Sequence, residues 1–152
     1  MGEGKPVTRD MVLRVVAKLL IPFILLFALY VQFHGDFGPG GGFQAGVILA
    51  AAIVFYAVIF GLDNARKVLP DRLVETMVAA GVLLYLGVGF AGLLLGGNFL
   101  DYFVLDADPV HGQHRGIFWV EVGVAITVSG VMLKIFYLFA GRGRGFEEDD
   151  GP

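Results

Sequence analysis

The sequence predicts an all-α integral membrane protein: four transmembrane helices in an antiparallel bundle, with both termini in the cytoplasm. Three observations predict it. Apolar residues make up 57% of the 152-residue chain and charged residues only 16%, with a mean hydropathy of +0.76. Soluble domains carry about 25% charge, and this chain has too little to cover a water-facing surface. Four runs reach the ~20 apolar residues that a bilayer crossing needs. Lys and Arg collect at both termini and in the second of three connections. A chain of this length is read as one membrane domain, residues 1–152.

The first span covers about residues 11–33. It is too long for the apolar core of a signal peptide, and no small-residue cleavage site follows it. His34–Gly42 then reads HGDFGPGGG, a turn that ends the first span and starts the second. The second span, about 43–62, carries no charge. Residues 63–72, DNARKVLPDR, form a basic connection to the third span at about 73–95. Residues 98–116 are polar and rich in Asp and His, and the fourth span covers about 117–139. The remainder, 140–152, is a polar tail ending in the acidic run Glu147–Asp150, read as solvated. Runs such as VILAAAIVFYAVIF lack the alternation of a membrane β-strand, and short connections favour antiparallel neighbours.

Orientation follows from the basic residues. Lys5, Arg9 and Arg14 lie at the first span, Arg66, Lys67 and Arg72 in the second connection, and Arg142 and Arg144 after the fourth span. The first and third connections hold only Arg115. The positive-inside rule therefore places both termini and the second connection in the cytoplasm.

Composition also excludes several functions. Without cysteine there is no disulfide framework, thiol nucleophile or Cys-ligated cluster. A net charge of −3 and the lack of a basic stripe give no nucleic-acid partner. No internal repeat, Ser–His–Asp unit or paired in-span carboxylate is present, so no enzyme, cofactor or metal site is predicted. His111 and His114 are spaced i, i+3 in the third connection, but the loose carboxylates around them make a surface loop the default reading.

Ionisable residues inside a span are costly in lipid and are functional candidates for that reason. Glu121 sits about four residues into the fourth span and is either an interfacial carboxylate or part of an ion path. Glu75 opens the third span, where it also suits the helix dipole. Lys18 and Lys134 lie in the cytoplasmic halves of the first and fourth spans. Each either snorkels to the interface or pairs between helices, as Lys18–Glu75 or Lys134–Glu75. Lys134 shares a helical stripe with Gly130, Thr127 and Gly123, and Gly46/Ala50 and Gly92/Gly96 are further small-residue pairs suited to close helix packing. The turn Pro39-Gly40-Gly41-Gly42-Phe43 combines a fixed φ with free backbones. It is either a tight structural turn or a place for close approach by another chain.

At this point the chain resembles a known family. GDFGPGGGFQAGVILAAAIVF is similar to the signature of the B subunit of multisubunit Mrp-type (Mnh) Na+/H+ antiporters, G-H-x-x-P-G-G-G-F-x-x-G. GIFWVEVGVAITVSGVMLKIFYLFAG resembles the family's last helix, with its Glu-x-Gly-Val-x-x-Thr-Val core. The likeness covers about residues 11–141. Asp36 stands where the pattern has His, so no imidazole role is carried to that position, and His34 is the nearby substitute. The resemblance implies a prokaryotic, multi-pass cell-membrane subunit of a cation/proton antiporter. Its partners would be the other membrane subunits, with Na+ and H+ moving through the complex. Related domains occur in hydrogenase-type complexes, so the alternative is a membrane-arm subunit of a redox-driven ion pump. An unrelated four-helix assembly protein is the third reading. With no acid at the centre of any span, the chain is read as an accessory rather than a complete exchanger.

Overall fold

The computed structural model describes residues 6–35 and 40–142, with side chains from Met11 onward. Asp36, Pro39, Arg144 and the acidic tail lie outside the described residues. The chain forms helices α1 (Pro6–His34), α2 (Gly42–Phe60), α3 (Leu62–Val68), α4 (Asp71–Leu94) and α5 (Pro109–Arg142), with a 3-10 turn at Tyr102–Leu105 before α5. Four of these, all but α3, are long and apolar enough to cross a membrane.

Each helix begins and ends for local reasons. α1 continues through Pro22, which membrane helices tolerate because neighbouring groups satisfy the freed carbonyl. α2 stops at Gly61, whose φ of +94° is open to glycine and costly to other residues. That kink moves Leu62, expected at the end of the second span, into the short helix α3. Pro70 stands immediately before α4, where its missing N–H costs no helical bond. α5 starts eight residues earlier than the expected position 117. Asp108 accepts the Val110 N–H at 3.0 Å through its side chain, and its carbonyl accepts Gly112 N–H at 2.9 Å. The expected loop residues His111, His114 and Arg115 therefore lie on the first turns of a 34-residue helix.

α5 is the central element. It packs against α4, α2 and the 3-10 turn, while α1 reaches the bundle mainly through α2. One apolar cluster joins Ala50 and Ala57 of α2, Leu62 and Ala65 of α3, Val74 of α4, and Leu133 and Tyr137 of α5. A second joins Val31, Ala45 and Ala125. Alanines contribute to both, and most large apolar side chains point away from the bundle. Lipid is as apolar as leucine, so close backbone contact must do what the hydrophobic effect does in water.

The small-residue stripe of α5 supplies that contact. A methyl group on Gly81 of α4 would stand 2.6 Å from the Gly123 carbonyl and would overlap the Thr127 hydroxyl. One on Gly46 of α2 would stand 2.7 Å from the Ala125 carbonyl. Gly92 and Gly96 behave differently from their expected helix-packing role. Gly92 makes room for the Asn98 and Asp101 carbonyls, and Gly96 ends α4 with φ +89° and open space around it. That pair serves the connection rather than a helix interface.

Candidate functional site

Polar side chains gather at two ends of the bundle. The first gathering is built on the turn between α1 and α2. Gly41 donates its N–H to the Val31 carbonyl at 3.3 Å, which folds the chain back onto the end of α1. Its φ of +125° needs glycine. Gly42 then opens α2 directly against α5, so that a methyl group there would overlap the Glu121 carbonyl. The Glu121 carboxylate lies against the same turn. A methyl on Gly35 would stand 2.7 Å from Oε2, and one on Gly41 would stand 3.1 Å from Oε1 and 3.4 Å from Gln44 Oε1. Gly40 is equally confined, with the Val31 carbonyl 2.7 Å from where a methyl would sit. The glycines bring backbone to the carboxylate that side chains would have kept away.

Glu121 is twelve residues into α5, yet it is level with the first residue of α2. Its position at the end of a span is thus set by α2, while α5 extends about three turns further. His34 ends α1 with its ring stacked on Tyr30, centroids 5.1 Å apart. Phe43 is exposed on α2.

The second gathering lies where α4 begins. Lys134 Nζ is 2.6 Å from Glu75 Oε1 and 3.9 Å from Asp71 Oδ1. Asp71 Oδ2 is in turn 3.3 Å from Arg66 Nε of α3. Arg66 also donates to the Tyr137 carbonyl at 3.3 Å and lies over the Tyr137 ring, while the Tyr137 hydroxyl donates to the Leu69 carbonyl at 3.1 Å. Of the two pairings expected for Glu75, the structure forms the one with Lys134. Lys18 instead stands 5.9 Å from the centre of the Phe60 ring. The Glu75 side chain is 59% exposed, so the pair sits on the flank of this chain rather than in its core.

Glu121 and Lys134 are thirteen residues apart on one helix, a rise of about 20 Å. Between them α5 carries no charged residue. Thr127 and Ser129 return their hydroxyls to the carbonyls of Gly123 and Ile126 at 2.9 and 3.0 Å. The two gatherings are separate sites.

Comparison with known proteins gives the family of the chain. Residues 12–134 match a family described as a domain related to the MnhB subunit of Na+/H+ antiporters. The chain belongs to this MnhB family. It is 32% identical to the B subunit of the Bacillus subtilis Na+/H+ antiporter, over 84% of this chain and 94% of that protein. It is 30% identical to the corresponding B subunit of Alkalihalophilus pseudofirmus, over 80% and 90%. The putative antiporter subunit mnhB2 of Staphylococcus aureus strain Newman is 30% identical over 87% and 95%.

Within this MnhB chain the structure adds residues that sequence reading passed over. Asp71 and Arg66 extend the Glu75–Lys134 pair into a four-charge cluster. Gln32 is the other addition. It is only 7% exposed, and neither of its amide atoms has a hydrogen-bond partner among the described residues. Its spacing was a usable signal: Gln32 follows Leu25 by seven residues and Ala28 by four, which puts it on the helix face that packs. In the third connection, Asp101, Asp106 and Asp108 all cap or brace local structure. Asp101 accepts Phe103 N–H at 3.3 Å, Asp106 lies 2.8 Å from Arg115, and Asp108 lies 3.1 Å from His111 Nδ1.

Proposed function

We propose that this chain is an integral membrane subunit of a multisubunit Na+/H+ antiporter and that it serves the complex as an accessory rather than as the exchanger. The observation that carries the reading is its membership of the MnhB family, with relatives, matched over most of both chains, that are named as B subunits of Na+/H+ antiporters. The arrangement of charge supports the accessory part. Ionisable clusters sit at two ends of the bundle with about 20 Å of uncharged α5 between them, so the described residues offer no continuous line of ionisable groups. The exposed Glu75–Lys134 pair supports the multisubunit part. A charge pair on a bundle flank is better sheltered by a neighbouring protein helix than by acyl chains.

In this reading the chain is a multi-pass protein of the cell membrane, not an enzyme. Its four spans are antiparallel, with both termini and the Gly61–Asp71 connection in the cytoplasm. The distribution of Lys and Arg supports that orientation. Glu121 and the Gly40–Gly42 turn then face outward, and the Lys134 cluster faces inward. The names carried by the relatives favour the antiporter over a redox-driven pump.

The test is purification from the native membrane in mild detergent through a tag on this chain. Large antiporter subunits should co-purify, and deletion of the gene should abolish Na+-dependent proton efflux in everted vesicles. Recovery of redox subunits, or unchanged antiport in the deletion strain, would overturn the reading.

A further inference from the structure

We propose that the groove between α4 and α5 beside Trp119 binds one zwitterionic phospholipid, a phosphatidylethanolamine, with its phosphate on Arg115 and an acyl chain over Gly87. The site needs only the membrane spans and is independent of the antiporter reading.

The groove has a volume of about 380 Å³. It is lined by residues of α4 between Leu83 and Ala91, by Leu105 of the 3-10 turn, and by Arg115 and Trp119 of α5. The packing of the two helices gives its direction. Gly130 meets Val74 and Val78, and Gly123 meets Leu84 and Tyr85. Continuing that register, Trp119 comes level with Val88, and Arg115 with Ala91 in the last turn of α4. A cation thus stands at the end of a span, with apolar walls running below it from Ala91 to Leu83, a rise of about 12 Å.

Gly87 is the observation that requires an explanation. Glycine inside a helix is destabilising relative to alanine. Gly81, Gly89 and Gly116 each make room for a neighbouring carbonyl, hydroxyl or ring, whereas a methyl group on Gly87 would meet nothing within 4 Å. Gly61 and Gly96 also face open space, but their positive φ accounts for them. Among the described residues, none uses the room that Gly87 leaves. That room belongs to a molecule outside the chain.

The lining selects the occupant. Apart from the guanidinium, the walls are mainly aliphatic and suit an acyl chain. A helix about 10 Å across would lie over such a cleft, whereas a single acyl chain enters it. Trp119 is 50% exposed, and an indole beside a cation at a span's end matches headgroup depth. Arg115 Nη1 lies 2.8 Å from Asp106 Oδ2, and Asp106 Oδ1 accepts the Asp108 N–H at 3.4 Å. Asp106 is thereby fixed and holds the guanidinium at the mouth. A guanidinium has five N–H donors, enough to bind a phosphate oxygen beside the carboxylate. Residues 98–116 carry three carboxylates, Asp101, Asp106 and Asp108, against that one guanidinium. A headgroup that adds only negative charge is repelled there, and one with its own ammonium is balanced.

Photo-cross-linking tests the proposal on the complex purified in mild detergent. Phosphatidylethanolamine with a diazirine on one acyl chain is added, the sample is irradiated, and labelled residues are located by mass spectrometry. Residues 83–91 and Trp119 should be labelled several-fold more than Leu19 and Phe23, which are exposed on α1. Unlabelled phosphatidylethanolamine should compete, and phosphatidylglycerol several-fold less well. Gly87→Leu puts a side chain into open space, so it should keep the fold, remove most of the groove label and leave the α1 label unchanged. Arg115→Gln should abolish the preference between the two headgroups, and the competition itself needs no variant. Labelling no stronger in the groove than on α1 would mean ordinary boundary lipid and would overturn the site. A groove protected from label would mean that a neighbouring subunit covers it, with the same consequence. Equal competition by both lipids would overturn the choice of headgroup. None of these readouts measures transport, so they stand or fall apart from the antiporter reading.

Discussion

Gly42 shows how little freedom a single position has here. α2 begins against the backbone of Glu121, and any Cβ at residue 42 would overlap that carbonyl. Gly42→Val is expected to lower the stability of the subunit by about 1–3 kcal/mol, the usual cost of overpacking, and to reduce the amount of assembled complex. A thermal melt in detergent reads the first effect and blue-native electrophoresis the second. Wild-type melting would mean that the two helices part more easily than their contact implies. Lys134 makes a different case, because its value depends on what it leaves behind. Lys134→Met removes the cation that lies between Glu75 and Asp71, leaving two carboxylates with Arg66 alone. Lys134→Met is therefore expected to lose more assembled complex than the double variant Lys134→Met with Glu75→Gln, since a stranded charge costs more than a missing pair. Equal loss in both would show that the pair contributes nothing to assembly. At this scale the sequence announced the charged residues and hid their arrangement. Glu121 and Glu75 stand out as acids in apolar runs, whereas the contact between Glu121 and Gly35 crosses most of the chain. Gln32 escaped because an uncharged amide near the end of a span is ordinary until its surroundings are known.

Among the elements, α5 departs most from its sequence reading. Its first turns are polar enough to look like a loop, but Asp108-Pro109 is a start signal, an N-cap followed by a residue that needs no helical N–H. The Asp108 side chain does cap the helix. Asp108→Ala is expected to fray the turns through Arg115 at a cost of about 1 kcal/mol, seen as faster amide exchange at residues 110–114. Unchanged exchange would move the cap elsewhere. The 3-10 turn braces the same stretch, with the Tyr102 ring filling the space beside Gly116. Burial, and then the neighbouring Tyr85, push the Tyr102 hydroxyl above the ordinary tyrosine value of 10.0. A raised folded value means that the neutral phenol is favoured in the folded chain. Its contribution is complete below pH 10 and is lost as pH rises through the folded value. Proteolysis within residues 98–108 should accelerate above that pH in the wild type and much less in Tyr102→Phe. Equal acceleration would exclude Tyr102 as the cause. The kink at Gly61 was harder to read, because Leu62 continues the apolar run and only the positive φ of Gly61 ends the helix there.

For the whole molecule, the number of spans was readable because bilayer thickness fixes the length of an apolar helix. The packing partners of those spans were not, because small residues recur too often to say which pairs meet. Gly123 and Gly130 meet α4, while Gly92 meets a connection. Orientation remains a matter for chemistry outside the fold. Cysteine at Ala107→Cys is expected to react with an impermeant maleimide added to intact cells, and Val68→Cys only after the cells are opened. Both positions are exposed. The opposite pattern would invert the molecule and place Glu121 inside.

Unequal helix lengths make this protein sensitive to the lipid around it. The 19 residues of α2 rise about 28 Å, close to the hydrocarbon thickness of about 30 Å, whereas the 34 residues of α5 rise about 51 Å. A thicker bilayer therefore stretches the fit of α2 while α5 has length to spare. The mismatch falls on the glycine hinge at the head of α2, which has no side chains to stiffen it. Acyl-chain length thus becomes a mechanical input delivered beside Glu121, and a membrane that thickens in the cold pulls on that carboxylate's enclosure before it disturbs the far end of α5.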